Sequence, residues 1–403
     1  MGIIAAYMVP HPPLIVPDIG KGEEKKIQKT VDAFLEVARR IGEQRPDTIV
    51  LISPHQVMYG DYFHISPGRR AEGDFRPFRA GQVRMEIDYD TEFTELLCQF
   101  AAGEKLSAGT LGEKNPGLDH GTMVPLYFIN HYWTGYHLVR IGLSGLPFTE
   151  HYRLGQYIQR TADALCKKTI VIGSGDLSHR LKENGPYGYR EEGPEYDRRI
   201  MEVMEQGAFG ELLEFSEQFC EQAGECGHRS FAIMAGALDG QNIRCERMSY
   251  EGPFGVGYGI CAYEVCGRDP ERNFLEQYEE KVRERLDLPY VDAMNIDLKG
   301  FREDYYRKLG GDLDTVKSFI VRAAADCHVE LTTLIVPGEN DWLDEIEEEA
   351  AWIATVDREI PLHVTRFFPR YHMTDREATD IKRVYELADA AGRYLPYVYV
   401  GNC

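Results

Sequence analysis

Short apolar runs that stop abruptly at proline and histidine constrain this chain more than any other feature. The first, residues 2–9, stops at Pro10-His11-Pro12-Pro13, and the second, residues 48–52, stops at Ser53-Pro54-His55. A third, residues 169–173, stops at Ser174-Gly175-Asp176-Leu177-Ser178-His179. Apolar runs of this length, punctuated by Pro or Gly, read as buried strands of an α/β sheet. Residues 23–44 read as a helix with Ile27, Val31, Phe34, Leu35 and Val37 on or near one face, joining the first two strands by a right-handed parallel crossover. Ligands of such sheets collect beyond the carboxyl ends of the strands. His11 and His55 are therefore placed to share a metal ion. The alternative is that each imidazole caps its strand and bonds a loop carbonyl.

Further polar residues fall at similar places. Leu118-Asp119-His120-Gly121 precedes an apolar stretch, and Glu225-Cys226-Gly227-His228 opens a helix over 231–238. His11, His55, His120 and His179 thus come from four segments, with Glu225 and Cys226 from a fifth. Two His and one carboxylate, with positions left open, form the ligand set of non-haem Fe(II) sites that activate dioxygen. Two more His nearby would supply acid/base groups with pKa values near neutrality.

These motifs, with Met8-Val9-Pro10-His11-Pro12-Pro13 and Ile52-Ser53-Pro54-His55, make residues 1–267 resemble the LigB-type class III extradiol dioxygenase superfamily. Within it the Memo-like branch, as in the AmmeMemoRadiSam system, is the nearest in pattern. The resemblance implies an α/β domain with a central, mostly parallel sheet. It implies that His11 and His55 bind iron, that His179 is the acid/base group, and that His120 contacts substrate or dioxygen. Ser174, Asp176 and Asp119, from the same motifs, are candidates for substrate contacts or for support behind the ligands. Ring-cleaving members place a Glu in the last motif, for which Glu225 is the candidate. Memo-like members place a Cys there, for which Cys226 is the candidate, and such a site tolerates copper or zinc as well as Fe(II).

At 403 residues the chain calls for two domains. Its net charge of −21 argues against nucleic acid or an anionic membrane as partner. No apolar stretch approaches a membrane span and no basic-then-apolar leader opens the chain, so a cytoplasmic protein is expected. Among nine cysteines there is no C-x-x-C pair. Cys98, Cys166, Cys220, Cys245 and Cys261 read as buried thiols in a reducing compartment.

Residues 63–87, rich in Gly, Arg and Pro, read as a long excursion over the site, where Arg69, Arg70 and Arg76 either meet an anionic substrate or are simply solvated. Helices are expected at 91–101 and 150–167, a strand at 136–143, an insertion from 191, and a closing strand at 260–265. The glycine series 252–259 precedes a strand instead of following one, which rules out a dinucleotide loop. Residues 268–287 read as a charged linker without an apolar stripe. Residues 288–403 resemble the later part of the radical SAM enzyme of the AmmeMemoRadiSam system, on the segments 294–300, 332–341, 362–369 and 397–402, with helices at 316–325, 344–356 and 375–391 between them. The resemblance implies a partial (β/α) barrel. A radical SAM enzyme holds its [4Fe–4S] cluster on three Cys thiolates, a motif missing here, so no iron–sulfur cluster is expected.

Three functions compete on these grounds. The first is an Fe(II)-dependent extradiol dioxygenase acting on a small aromatic or related substrate with O₂. The second is a metal-binding accessory or interaction protein of the AmmeMemoRadiSam system, associating with its proteins or with itself, without ring cleavage. The third, a SAM-dependent activity of the later half, is poor without cluster ligands. Glu225 turned toward the His pair favours the first; Cys226 turned inward favours the second.

Overall fold

A computed structural model describes residues 2–286, 291–370, 373 and 375–403. It divides into two compact units, 1–281 and 282–403. The point at 287–288 where the sequence places the end of its linker lies outside the described residues.

The first unit is a mixed α/β domain built on a six-stranded sheet. In chain order its main elements are β1 (Ile3–Val9), α1 (Gln28–Gln44), β2 (Thr48–Ser53), β3 (Arg70–Phe75), β4 (Ala80–Asp88), α2 (Thr91–Gly103), α3 (His120–Ile129), β5 (His137–Gly142), α4 (Phe148–Leu165), β6 (Thr169–Ser174), α5 (Glu192–Gln206), α6 (His228–Ala237), β7 (Gln241–Glu251), β8 (Tyr258–Arg268) and α7 (Phe274–Leu286). The strand order is β5-β2-β6-β1-β8-β7. The first four strands are mutually parallel, and β8 and β7 close the sheet antiparallel.

The apolar runs explain the middle of this sheet. All of β2 and β6 is buried, as a parallel strand covered on both faces must be. Alternate residues feed two cores. Ala6, Met8, Val50, Ile52 and Val171 face one; Ala5, Tyr7, Val9, Ile49, Leu51, Ile170 and Ile172 face the other. The second core is covered by α1 through Phe34, Val37 and Ile41, with Phe34 stacked on Phe128 of α3 at 4.6 Å. Because β6 lies between β1 and β2, the carboxyl ends of all three strands open at one edge, and His11, His55 and the 174–179 turn follow directly.

Several expectations change. The helix expected from residue 23 begins as a 3-10 turn, Glu23–Ile27, before α1. Residues 63–87 are not an irregular excursion: β3 and β4 pair as an antiparallel hairpin. Val83, Met85 and Ile87 alternate there with Arg84, Glu86 and Asp88, a half-buried strand pattern hidden by the surrounding Gly and Arg. Arg70 is committed to Glu86 and Asp88, and Arg76 to Asp74. The insertion after 191 is the helix α5, and the glycine series is the turn between β7 and β8. Cys166 is exposed, since it ends α4 in the left-handed region at φ 53°; Cys98 and Cys245 are half-buried. Within 268–281, Leu275 is buried and Phe274 and Tyr278 pack on the first core.

The second unit holds a four-stranded parallel sheet of β9 (Ala293–Asp297), β10 (His328–Ile335), β11 (Leu362–Arg366) and β12 (Val398–Gly401), in that order. Its helices α8 (Leu313–Asp326), α9 (Leu343–Val356) and α10 (Ile381–Ala391) bury Ile320, Ile346, Ile353, Val384 and Leu387 against Leu331, Ile335, Leu362 and Val364. The helix expected from 375 starts only at Ile381. Asp380 caps it by accepting from the Lys382 amide, while the Thr379 hydroxyl donates to the Ile335 carbonyl and accepts from the Phe367 amide. No helix among the described residues is long and apolar enough to cross a membrane.

Candidate metal centre

His11 lies two residues beyond β1 and is 2% exposed. Its backbone N–H donates to Asp176 Oδ1 at 2.9 Å, and its Nδ1 lies 2.9 Å from Ser174 Oγ. Ser174 donates its only proton to the Gly121 carbonyl at 2.7 Å. The serine oxygen must therefore accept from His11 Nδ1–H, which assigns the tautomer and leaves the His11 Nε2 lone pair free. That lone pair faces His55 Nε2 at 2.9 Å and Cys226 Sγ at 3.7 Å.

His55 lies two residues beyond β2. Its amide donates to Ser53 Oγ at 3.2 Å, and Ser53 in turn donates to Asp119 Oδ1 at 2.5 Å. Asp119 is the N-cap of α3, accepting from Thr122 N and Oγ1, both at 2.9 Å. This cap presents His120, whose ring lies 3.9 Å from that of His55 and 5.5 Å from that of His11. Gly121 permits the approach: a Cβ there would sit 2.5 Å from Ser53 Oγ.

Cys226 reaches the cluster because its segment crosses the 174–176 turn glycine against glycine. A Cβ on Gly175 would fall 2.1 Å from Gly227 Cα. The Cys226 sulfur accepts from the Asp176 amide at 3.3 Å. Its neighbour Glu225 faces elsewhere, accepting from the His228 amide at 2.5 Å at the start of α6. His11, His55 and Cys226 thus form a group whose ligand atoms all lie within 4.8 Å of one another, and Glu225 is not part of it. The reason is local: His228 opens a helix whose first amides need an acceptor, and Glu225, three residues back, is in reach.

His179 completes the rim. Its Nε2 lies 4.0 Å from Asp176 Oδ2, and its ring stacks on Tyr187 at 5.1 Å. Burial first, and then repulsion from His55, bring the His120 and His179 imidazoles down to about 4. Burial, and then the other three imidazoles, pull His11 well below its ordinary value. Burial also lowers His55 and pushes the Cys226 thiol up, while Asp176 and Glu225 are each raised to about 7 by the same cause. At neutral pH the cluster is four uncharged imidazoles and a thiol.

The donor set fits a transition-metal ion. The two Nε2 atoms, 2.9 Å apart, and the Cys226 sulfur, 3.7 Å from His11 Nε2, are nitrogen and sulfur donors of the kind such ions take. The contact between the two Nε2 atoms serves as an N–H···N hydrogen bond when His55 Nε2 keeps its proton. Sequence reasoning gave no role to Ser53, although it belongs to the Ile-Ser-Pro-His motif, nor to Tyr187 or Phe78. Phe78 packs edge-on to His120 at 5.3 Å. Neither aromatic carries a sequence signal: Phe78 ends the 3-10 turn Arg76–Phe78 between β3 and β4, and Tyr187 lies in the loop after His179.

The model of the family described as "Catalytic LigB subunit of aromatic ring-opening dioxygenase" matches residues 5–261. Protein CA_C1420 of Clostridium acetobutylicum is 38% identical over 304 residues, covering 72% of this chain and 64% of its own length. This chain therefore spans under two thirds of that relative. The 2-aminophenol 1,6-dioxygenase beta subunit of a Pseudomonas species is 24% identical over 292 residues, covering 65% of this chain and 94% of its own. The 3,4-dihydroxyphenylacetate 2,3-dioxygenase of Escherichia coli is 24% identical over 226 residues, covering 52% and 80%. The matched residues carry most of β1, all of β2 and β6 and every member of the cluster just described, and on this match the chain belongs to the LigB family.

Proposed function

We propose that His11, His55 and Cys226 hold one transition-metal ion, and that this chain is a Memo-like, metal-binding member of its family. The observation that carries the reading is the placement of Cys226 Sγ, 3.7 Å from the His11 Nε2 that also faces His55, while Glu225 is engaged with the His228 amide. A thiolate beside two imidazoles favours copper or zinc over Fe(II), although Fe(II) remains compatible with two His and an anionic third donor. When bound, the ion would supply a Lewis-acidic or redox-active centre for a small molecule or O₂. The chain's own contributions are separate. Ser174 fixes the His11 tautomer, and Asp176 holds the His11 amide and the Cys226 segment together. His179, neutral and partly exposed, is placed to take a proton at Nε2. Tyr187 and Phe78 offer aromatic faces at the rim.

The second reading, extradiol ring cleavage of a catechol or aminophenol, draws on His120 and His179 beside the pair and on the names of two relatives. Metal analysis after anaerobic purification, with oxygen uptake over a panel of catechols and 2-aminophenol, separates the two. The Memo-like reading predicts one metal per chain and no ring cleavage. Turnover that survives Cys226→Ser and is lost in Glu225→Gln would overturn it in favour of the dioxygenase.

For residues 288–403 we propose a partial βα barrel of radical SAM type, without a cluster, joined to a LigB-type domain over 1–267. Four parallel strands alternating with helices support this. Self-association, or association with other AmmeMemoRadiSam proteins, is proposed on the same footing.

A further inference from the structure

Among the described residues Arg140 is the one arginine whose side chain is buried beside the cluster. It lies on β5, with a side chain only 4% exposed. Its Nε donates to Ser66 Oγ at 2.8 Å, its Nη1 donates to the Gly117 carbonyl at 2.8 Å, and Nη1 lies 3.9 Å from Asp119 Oδ2. Burying a guanidinium is costly unless each arm is engaged, and here each engaged arm leads to the site. Gly117 and Asp119 form the segment that caps α3 and presents His120. Asp119 accepts from Ser53, which accepts from the His55 amide. Ser66 accepts from Gln56 Nε2 at 2.8 Å, and the same Nε2 lies 2.8 Å from His64 Nδ1. The guanidinium therefore grips His55 from both sides of the chain, through Ser53 before it and Gln56 after it, and holds the cap of the helix that carries His120. His11 and Cys226 lie outside this network, tied instead to Ser174 and Asp176.

We propose that Arg140 is a positioning residue of the metal centre, whose forked guanidinium sets the His55 and His120 loops relative to the His11–Cys226 half. This rests on the metal-binding reading above. The fork matters more than the charge. An ammonium at the same place would keep the charge but could not reach Ser66, Gly117 and the Asp119 carboxylate in one fixed geometry. Supporting groups of this kind commonly alter metal affinity by about 10- to 100-fold.

The test uses the full chain titrated anaerobically with Co(II), reading affinity and the visible spectrum together. Arg140→Met is expected to bind Co(II) at least about tenfold more weakly. Its sulfur-to-cobalt absorption should be retained, because the Cys226 half is untouched, and its ligand-field bands should shift, because His55 is displaced. A residue that merely supports the fold would lower thermal stability and leave the spectrum of the bound ion unchanged. Arg140→Lys is expected to behave like Arg140→Met; full rescue by lysine would overturn the positioning role. Where Arg140→Met does not fold, Ser66→Ala removes one arm and keeps the charge, and a smaller shift of the same bands is expected. Wild-type affinity and spectrum in both Arg140→Met and Ser66→Ala, or in Ser66→Ala alone should it be the variant that folds, would overturn the assignment by itself. A wild-type chain that binds no Co(II) would overturn the metal reading first and this inference with it.

Discussion

Ser174→Ala is the sharpest probe of how the site is held. The hydroxyl is fully buried, donates to the Gly121 carbonyl, and accepts from His11 Nδ1–H. Alanine removes both bonds and leaves a buried imidazole N–H without an acceptor. Leaving a buried donor unmet costs about 1–3 kcal/mol, and the bond lost at Gly121 about 1 kcal/mol more. The expected loss of stability is therefore roughly 2–4 kcal/mol. Part of this reaches the metal, because His11 is then free to swap tautomers and turn its proton toward the ligand position. An affinity loss of about 10- to 100-fold is expected, equivalent to roughly 1.4–2.8 kcal/mol. Competitive Zn(II) titration against a chromophoric chelator measures the affinity, and denaturant unfolding with and without metal measures the stability. Affinity within twofold of wild type would show that Ser174 does not set the His11 tautomer.

Three further outcomes follow from particular contacts. Gly175→Ala should force the 174–176 turn away from Gly227, since its Cβ would fall 2.1 Å from Gly227 Cα, and metal content after purification should drop sharply. Metal affinity should rise with pH: burial keeps His11 and His55 neutral at pH 7 but raises the Cys226 thiol, so one proton must leave as the thiolate binds, giving about tenfold per pH unit in a titration between about pH 6.5 and 8.5. In the second unit, burial raises Glu349 to about 8, so its contribution to stability is full below its unfolded value and is lost as pH rises through about 8. Glu349→Gln should flatten that decline in the unfolding of the whole chain, while wild-type and variant profiles of equal slope between pH 5 and 8 would count against it.

The central sheet was legible because β1, β2 and β6 each carry an unbroken apolar run, and the Pro, His and Ser that follow mark where the strands stop. The same regularity put His11, His55 and His179 at one edge, while His120 joins them from the start of α3. What the sequence hid depends on pairing that local pattern does not encode. The β3–β4 hairpin is half-buried and rich in charge, so its alternation reads weakly. β7 mixes Arg244, Glu246 and Arg247 with Ile243 and Met248 and gives no apolar run, because it is an edge strand paired on one side only. Which of Glu225 and Cys226 faces the His pair could not be read from residues one apart. It follows from the helix beginning at His228, whose first amides take the carboxylate, and from two glycines that let the thiol approach His11.

The identity of the third ligand is best read from sulfur directly. Anaerobic reconstitution with Co(II) gives a near-ultraviolet sulfur-to-cobalt absorption only when a thiolate is bound. This band is expected at one Co(II) per chain in the wild type and in Glu225→Gln, and is expected to be lost in Cys226→Ser. A wild type that binds Co(II) without the band, or a Cys226→Ser variant that keeps it, would contradict the His11–His55–Cys226 site.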